Sequence, residues 1–439
     1  MSNLCISCFR LLIFVCVFLI VWFNVLSSIQ TSSGDLIQKT LTEFHKRGLS
    51  DKLIDAVPGE KGPGDQYLKG FVLMGKAQDW KNVNFVDVDQ DDAKPKIEAI
   101  KLRQPGAEVQ HIAFLKVHKA ASSTAQNIFL RFGWKRNLTF VLAPADNPSR
   151  YPNIISLRES LTETNILPPP AGKHYDILCN HVFYEKEAFS RFMPSDAQYI
   201  GIVREPFELY KSILNYFRPR YIFKLIEGPN PASQFLRDPE KYEPKGKLFY
   251  SWTNNRMAIE FGFPESLVRS FNQTAVDSYL EKLGSEFAFV IVSEYFEDSV
   301  VMMRRILNWQ TKDILYLSLN VAKKKNETAI SQPYDRTFYK NYAKLDYAIY
   351  DFFYHRLRDQ IRHEGSDYDD ELLAFKDIRK SVQEFCTTSY PDKPAMLDFP
   401  ETRWGHKFTI DANDCRDLMR PEIPFITDIR VRQYGSKDI

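Results

Sequence analysis

The sequence has no marked excess of charge of either sign. Its 439 residues include 58 basic and 56 acidic side chains, which gives a formal net charge of +2 at pH 7. Proteins that bind nucleic acid generally present a strongly basic surface, so this balance gives no support for a nucleic-acid partner. Aromatic residues, by contrast, make up 14% of the chain. We interpret most of them as core residues, with some available to line a sugar-binding cleft.

Charge is absent altogether from residues 11–29, and Arg10 stands directly before them. An uncharged apolar run of this length is long enough to span a bilayer. Because no small-residue cleavage site follows it, we predict an uncleaved signal anchor with a cytosolic N-terminus; a cleaved signal peptide is the alternative. The predicted organisation is a cytosolic tail over 1–10, a transmembrane segment over 11–29, a lumenal stem and approach segment over 30–107 and one lumenal domain over 108–439.

Cysteine is scarce, and three of the six cysteines belong to the tail and the apolar run. The other three are an odd number, so they cannot all pair with one another. Cys179 falls within an apolar, strand-like stretch, so we predict that it is a buried thiol and that Cys386 pairs with Cys415. A lumenal domain also fits three acceptor triplets for N-glycosylation, which begin at Asn137, Asn272 and Asn326.

Glycine is missing from residues 114–124, which read Phe-Leu-Lys-Val-His-Lys-Ala-Ala-Ser-Ser-Thr. The chain has no Gly-x-x-x-x-Gly-Lys-Ser/Thr motif, which argues against a nucleotide kinase or another P-loop NTPase. The stretch still joins a predicted strand, 111–117, to a predicted helix, 122–133, which we expect Gly133 to end. Unpaired N–H groups and the helix dipole favour an anion at such a junction. We therefore predict a phosphate cradle formed by Lys116, Lys119, Ser122, Ser123 and Thr124.

A second anion site is predicted where the strand 199–203 ends. Arg204 follows this strand, and Pro206 is suited to the first position of a helix whose apolar residues recur at helical spacing. Ser212 lies two turns into that helix, where we expect its hydroxyl to join the Arg204 guanidinium around one phosphate. The alternative is a surface arginine before an ordinary amphipathic helix.

Strands and helices alternate along the lumenal domain. Apolar runs at 111–117, 176–180, 199–203 and 287–292 are separated by helical or irregular segments. This alternation predicts an α/β fold with a central parallel sheet flanked by helices. Two irregular insertions, 143–175 and 218–248, are expected to carry substrate recognition.

Two motifs resemble those of a known family. The segments 115–124 and 200–217 are similar to the 5′-phosphosulfate loop and the 3′-phosphate motif of Golgi sulfotransferases, and most similar to the galactose 3-O-sulfotransferases, the group that contains galactosylceramide sulfotransferase. Further similar segments are Asn180-His181, 255–262 and 294–309. The resemblance covers about 110–355 and is weak in the stem and after 365. The chain departs from the family at Asn308, where a cysteine is expected before Trp309, and this puts a disulfide at that position in doubt.

The resemblance implies a type II Golgi membrane protein with a P-loop-like sulfotransferase fold. It implies transfer of a sulfuryl group from 3′-phosphoadenosine 5′-phosphosulfate to the 3-hydroxyl of a terminal β-galactose on a glycolipid or glycoprotein, with no metal expected. Another glycan hydroxyl, such as the 2-position of a uronic acid, is the alternative acceptor. The oligomeric state stays open, with a homodimer as one arrangement.

The resemblance and the chemistry of sulfuryl transfer together imply a role for each candidate residue. Negative charge develops on the leaving oxygen, and the ammonium group of Lys119 is expected to meet it, with Lys116 as a supporting charge. The acceptor hydroxyl needs a general base, for which we favour His181 and keep His118 as its competitor. The phosphate groups are assigned to Ser122, Ser123 and Thr124 on the 5′ side and to Arg204 and Ser212 on the 3′ side.

Two hypotheses from other classes compete with this one. Asp87 and Asp89 form an Asp-x-Asp motif of the kind that holds a divalent metal in a nucleotide-sugar glycosyltransferase. Roughly 55 residues separate it from the apolar run, too few for a nucleotide-binding subdomain, so we favour a solvated acidic turn. The second is a catalytically silent glycan-binding protein. The presence together of Lys119, Arg204, Ser212 and His181 argues against it, because a lectin has no need of a nucleotide site.

Overall fold

The computed structural model describes residues 106–318, 335–388 and 396–435. These residues belong to one compact unit of the chain, 97–439. Within these ranges, none of the helices is long and apolar enough to cross a membrane. The predicted anchor at 11–29, nearly all of the predicted stem, the Asp87–Asp89 motif and Asn326 lie outside the described residues.

A four-stranded parallel sheet forms the centre of the described region. Its strands are β1 (Ile112–Phe114), β2 (Ile177–Leu178), β3 (Gln198–Val203) and β4 (Phe289–Val292), in the spatial order β2-β1-β3-β4. All their residues except Gln198 are buried, as expected for parallel strands covered on both faces, and the predicted α/β fold is confirmed. β1 is shorter than predicted, because residues 116–118 leave the sheet to form a loop.

Helices surround this sheet. In chain order they are α1 (Ser122–Arg136), α2 (Lys186–Phe192), α3 (Pro206–Phe217), α4 (Arg220–Phe223), α5 (Pro231–Arg237), α6 (Pro239–Tyr242), α7 (Arg256–Glu260), α8 (Glu265–Arg269), α9 (Gln273–Glu286), α10 (Phe296–Leu307), α11 (Asp335–Tyr342), α12 (Lys344–Glu364), α13 (Ser366–Thr387), α14 (Ala412–Met419) and α15 (Glu422–Tyr434). β5 (Met396–Phe399) and β6 (Phe408–Asp411) form a separate antiparallel pair. α10 and α12 pack against β4, and α15 packs against α1.

The first helix does not end at Gly133, as predicted, but continues to Arg136. The prediction was wrong because this glycine serves close packing: a Cβ atom there would lie 2.6 Å from Cδ1 of Ile177 in β2. The helix ends instead at Asn137, whose φ of 55° is left-handed and whose N–H reaches the last carbonyl groups. Gly133 thus lets α1 lie directly against the sheet.

The cysteine predictions are confirmed. Cys386, near the end of α13, forms a disulfide with Cys415 in α14. Cys179 is a buried free thiol, and burial raises its pKa to about 12. Asn308, which stands where the resemblance led us to expect a cysteine, ends α10 with a φ of 56°. Asparagine tolerates this left-handed conformation better than most residues, so the departure fits the local backbone.

Candidate active site

The candidate site lies at the carboxyl ends of the parallel strands. Lys116 and His118 follow β1, His181 follows β2 and Arg204 follows β3. Loops at this edge of an open parallel sheet are where such folds bind ligands. The fold therefore brings together side chains from three separate loops.

The loop between β1 and α1 turns sharply without glycine. Lys119 and Ala121 have φ angles of 61° and 60°, a left-handed conformation that is costly for residues with a side chain. Two hydrogen bonds hold the turn: Arg204 Nη1 donates to the carbonyl oxygen of Lys119 at 2.7 Å, and Ser293 Oγ donates to that of Ala120 at 2.6 Å. No side chain caps α1, so the first N–H groups of the helix face the loop.

The three hydroxyl groups at the start of α1 have different surroundings. Ser122 is buried, and its hydroxyl donates to the carbonyl oxygen of Val117 at 2.5 Å. Ser123 is exposed and donates to Oε2 of Glu422 at 2.8 Å. Thr124 is half-buried, and its hydroxyl has no hydrogen-bond partner within the described ranges. Ser122 thus closes the loop, whereas the other two stand nearer to solvent.

The two lysines of the loop have opposite environments. The ammonium of Lys119 lies 3.9 Å above the exposed ring of Tyr216, and burial together with the charge of Arg204 lowers its pKa. Lys116 is 1% exposed, and its Nζ lies 2.8 Å from Oε2 of Glu422 in α15. Burial lowers the pKa of Lys116, and Glu422 opposes that effect. Lys119 therefore faces the opening of the site, whereas Lys116 is part of its interior.

His181 has both ring nitrogens engaged by Lys116. Its Nδ1 lies 2.7 Å from the carbonyl oxygen of Lys116, which can only accept, so Nδ1 carries the proton. Its Nε2 lies 3.2 Å from the Nζ of the same lysine and accepts from it. Burial, followed by the charges of His118 and Lys116, holds the pKa of His181 well below its usual range. A neutral His181 is therefore available as a base only if Lys116 moves.

His118 is held by a buried carboxylate. Its ring stacks on that of His181 at 3.7 Å between centroids, and its Nδ1 lies 2.6 Å from Oε1 of Glu260. Its backbone N–H donates to Oε2 of Glu260 at 2.8 Å, and Arg256 Nε donates to Oε1 at 2.6 Å. Burial would raise the pKa of Glu260, but His118 and Arg256 bring it down to about 2.

Glu260 therefore accepts from Nδ1 of His118 as an ionised carboxylate, and this assigns the proton of a neutral imidazole to Nδ1. Burial lowers the pKa of His118 against the opposing effect of Glu260, which favours that neutral form. Its Nε2 then carries the lone pair. A base oriented by a third group is the arrangement that acid–base catalysis requires.

The site residues described above, except Glu422, lie within one family match. Residues 77–401 match the family described as galactose-3-O-sulfotransferase. The chain belongs to this family. Galactosylceramide sulfotransferase of Homo sapiens is 27% identical over 348 residues, which are 75% of this chain and 80% of the relative. Galactose-3-O-sulfotransferase 3 is 26% identical in Mus musculus, over 73% of this chain and 72% of the relative, and 29% identical in Bos taurus, over 71% of each.

The predicted resemblance is confirmed, and this protein is a sulfotransferase with 3′-phosphoadenosine 5′-phosphosulfate as its donor. The match extends past the predicted 110–355 at both ends, so the predicted extent was too short. The residues present fit the donor. The uncapped first turn of α1 offers N–H groups to an anion, and Lys119 and Arg204 supply positive charge on either side of the same turn.

Sequence reasoning missed two carboxylates of this candidate site. Glu260 lies in the segment 255–262, whose resemblance to the family does not by itself point to this carboxylate. Gly262, two residues later, has a φ of 73°, and a Cβ atom there would collide with the backbone of Tyr184, so the motif also needs a glycine. Glu422 lies at the start of α15, beyond the family match, and contacts Lys116, Ser123 and Asn153. Nothing in the sequence near the loop points to it.

Aromatic side chains form a wall beside His118. Trp252 stacks on Phe217 at 4.0 Å and meets the His118 ring edge-on at 5.4 Å. The guanidinium of Arg256 lies 4.5 Å from the Trp252 ring. Because Trp252 is only half-buried, part of its surface remains open to a ligand next to His118.

Other predicted residues lie at the edge of the site or away from it. Ser212 is half-buried in α3, and in the part of the chain that the structure describes its hydroxyl has no hydrogen-bond partner. The structure records no contact between Ser212 and Arg204, so their joint role remains a prediction. The predicted glycosylation sites Asn137 and Asn272 are both exposed, and the side chain of Asn272 also caps α9 through the N–H of Ala275 at 2.9 Å.

Proposed function

We propose that this protein transfers the sulfuryl group of 3′-phosphoadenosine 5′-phosphosulfate to the 3-hydroxyl of a terminal β-galactose on a glycolipid or glycoprotein. The names of the relatives support galactose as the acceptor and the 3-position as the site of transfer. The observation that carries the reaction type is the buried His118–Glu260 pair, which lies at the same edge of the sheet as the anion cradle. A base and a site for an anionic leaving group are both needed for sulfuryl transfer to a hydroxyl.

His118 is the general base in this proposal. Glu260 orients its ring through Nδ1, and Nε2 takes the proton of the acceptor hydroxyl as the oxygen attacks sulfur. His181 is a positioning residue, because its Nε2 already accepts from Lys116. This proposal reverses the preference for His181 that the sequence suggested. The reason is that Glu260 orients the ring of His118, whereas Lys116 occupies the Nε2 of His181.

Positive charge meets the leaving phosphate in this proposal. Lys119 contributes the ammonium nearest the opening of the site, and the first N–H groups of α1 with Ser123 and Thr124 receive the 5′-phosphate. Ser122 contributes mainly by closing the loop. Arg204 and Ser212 bind the 3′-phosphate, and Arg204 also fixes the turn through the carbonyl oxygen of Lys119.

The location follows from the same proposal. The resemblance to Golgi sulfotransferases implies that the protein acts in the Golgi lumen, where residues 11–29 would anchor it as a single-pass type II protein. The exposed side chains of Asn137 and Asn272 are compatible with N-glycosylation in that compartment.

The test is an acceptor panel with the full-length, detergent-solubilised protein and labelled donor. The panel contains galactosylceramide, a galactose-terminated oligosaccharide, the same oligosaccharide with hydrogen in place of the 3-hydroxyl, and a uronic-acid oligosaccharide. We expect transfer to the first two only. Transfer to the 3-deoxy compound would contradict the proposed acceptor position. So would transfer to the uronic-acid oligosaccharide and to no other acceptor.

Three histidine variants test the assignment of the base. His118→Ala should lower kcat by about 10²- to 10⁴-fold while the affinity for 3′-phosphoadenosine 5′-phosphate stays unchanged. His406→Ala is the matched control, because its side chain is 80% exposed and it lies outside the site. Full activity of His118→Ala, with loss of activity only in His181→Ala, would assign the base to His181.

A further inference from the structure

A second cluster of chemically active side chains lies at the opposite edge of the sheet. His111 directly precedes β1, and Asp176 directly precedes β2, with His174 two residues earlier. Because the strands are parallel, these positions lie at the amino ends, whereas His118 and His181 follow the carboxyl ends. The cluster therefore takes no part in the site described above.

Three ligand atoms of this cluster converge. Nε2 of His174 lies 3.0 Å from Oδ1 of Asp176 and 3.3 Å from Nε2 of His111, and Nε2 of His111 lies 3.4 Å from the same oxygen of Asp176. Tetrahedral zinc has bonds of about 2.0 to 2.1 Å to imidazole nitrogen and carboxylate oxygen, so neighbouring ligand atoms are about 3.3 Å apart. The three separations agree with the edges of one face of such a tetrahedron.

The ligand atoms are also oriented by outer partners. The other ring nitrogen of His111, Nδ1, lies 2.7 Å from Oδ1 of Asp196, and the other oxygen of Asp176, Oδ2, accepts from the backbone N–H of Thr139 at 2.6 Å. A carboxylate behind a ligating histidine fixes its tautomer and leaves the lone pair on the nitrogen that faces the metal. This arrangement leaves Nε2 of His111 with its lone pair directed at the shared centre.

Hydrogen bonding within the cluster explains the positions of the three ligand atoms less completely than a bound metal ion does. Two imidazole nitrogens that face each other can share only one proton, and Oδ1 of Asp176 lies near both of them. A cation at the centre satisfies all three atoms at once. Imidazole nitrogen favours zinc over magnesium and calcium, which select oxygen ligands.

We propose that His111, His174 and Asp176 bind one zinc ion, whose fourth position opens to solvent beside Phe192, Met193 and Pro194. The ion joins the amino ends of β1 and β2 to His174, at the end of the irregular segment 143–175. It therefore stabilises the edge of the sheet and plays no part in sulfuryl transfer, for which the family resemblance implies no metal. Its fourth ligand is water, as in zinc sites with three protein ligands.

The test measures zinc bound to the full-length protein, purified through an affinity tag that contains no histidine. After treatment with a chelator and dialysis against zinc, metal analysis should find about one zinc ion per chain in the wild type. His174→Ala should lose that ion, and it should fold normally because the side chain of His174 is 66% exposed. His406→Ala, an exposed histidine elsewhere, should keep it.

A second measurement separates a zinc site from a simple ion-pair cluster. Cobalt bound in place of zinc should give the visible absorption of a tetrahedral centre in the wild type and in His406→Ala, and none in His174→Ala. Asp196→Asn should weaken zinc binding by about 10- to 100-fold. Zinc should also raise Tm in the wild type and in His406→Ala but not in His174→Ala, whose sulfotransferase activity should stay close to that of the wild type. Equal zinc content in the wild type and His174→Ala, or none in either, would overturn the proposal.

Discussion

The two edges of the central sheet carry nearly the same pair of groups in different surroundings. At the carboxyl edge, Nδ1 of His118 lies 2.6 Å from Glu260, and at the amino edge, Nδ1 of His111 lies 2.7 Å from Asp196. The side chains of the first pair are 8% and 2% exposed, whereas those of the second are 25% and 52% exposed. A histidine–carboxylate pair alone therefore does not define a function.

What each imidazole can do depends on the atoms around its second nitrogen. Next to His118 lie the stacked ring of His181, the edge-on ring of Trp252 and the loop that carries Lys119. Next to His111 lie a second imidazole and a second carboxylate at tetrahedral spacing. We therefore infer a base at one edge and a metal ligand at the other.

Lys119→Ala is expected to have a larger effect than the changes at Glu260, Asp196 and Arg204 that follow. Removing the ammonium that meets charge on the leaving group should lower kcat by about 10³-fold, as loss of one preorganised donor does elsewhere. Lys186→Ala is the matched control, because Lys186 also lies over a tyrosine ring, at 4.3 Å from that of Tyr199, but outside the site. Single-turnover kinetics measure the effect, and equal rates for the two variants would refute the role of Lys119.

Glu260→Gln and Asp196→Asn together compare the two carboxylates that contact Nδ1 of a histidine. Glu260→Gln should lower kcat by about 10²-fold, because the base loses its orienting partner. Glu260 raises the pKa of His118, so its removal should also move the acidic limb of the pH–rate profile to lower pH.

Asp196→Asn supplies the control at the other edge of the sheet. It should leave both kcat and the pH profile unchanged, because Asp196 contacts His111 and not His118. A profile of Glu260→Gln with an unshifted acidic limb would mean that His118 is not the titrating base, and the comparison between the two edges would then fail.

Among the variants of the candidate active site, Arg204→Ala should have the smallest effect, and that effect should fall mainly on binding of the donor. Loss of its guanidinium should weaken binding of 3′-phosphoadenosine 5′-phosphate by about 10-fold, because a charge-assisted hydrogen bond is lost. Calorimetric titration measures this change, and Arg191→Ala, at an exposed ion pair with Glu163, is the control. Unchanged affinity in Arg204→Ala would remove it from the donor site.

Short-range signals made much of the fold predictable. Apolar runs bounded by polar loops gave the four parallel strands, and the spacing of apolar residues gave α1 and α3. The end of α1 was not predictable in this way. Gly133 resembles a helix stop locally, but it is fixed by contact with Ile177, which lies 44 residues further along the chain and meets it only after β2 has paired.

The sequence by itself determined the chemistry available to this protein. It placed two lysines, two histidines and three hydroxyls beside predicted strands, because residue type and local spacing are visible without a fold. Only the tertiary structure decided which partners each histidine has. Glu260 and Glu422 reach the loop from distant helices, and they engage His118 and Lys116 in a buried environment where an ionised group needs a partner. Those pairings depend on packing across the sheet, which no local pattern records.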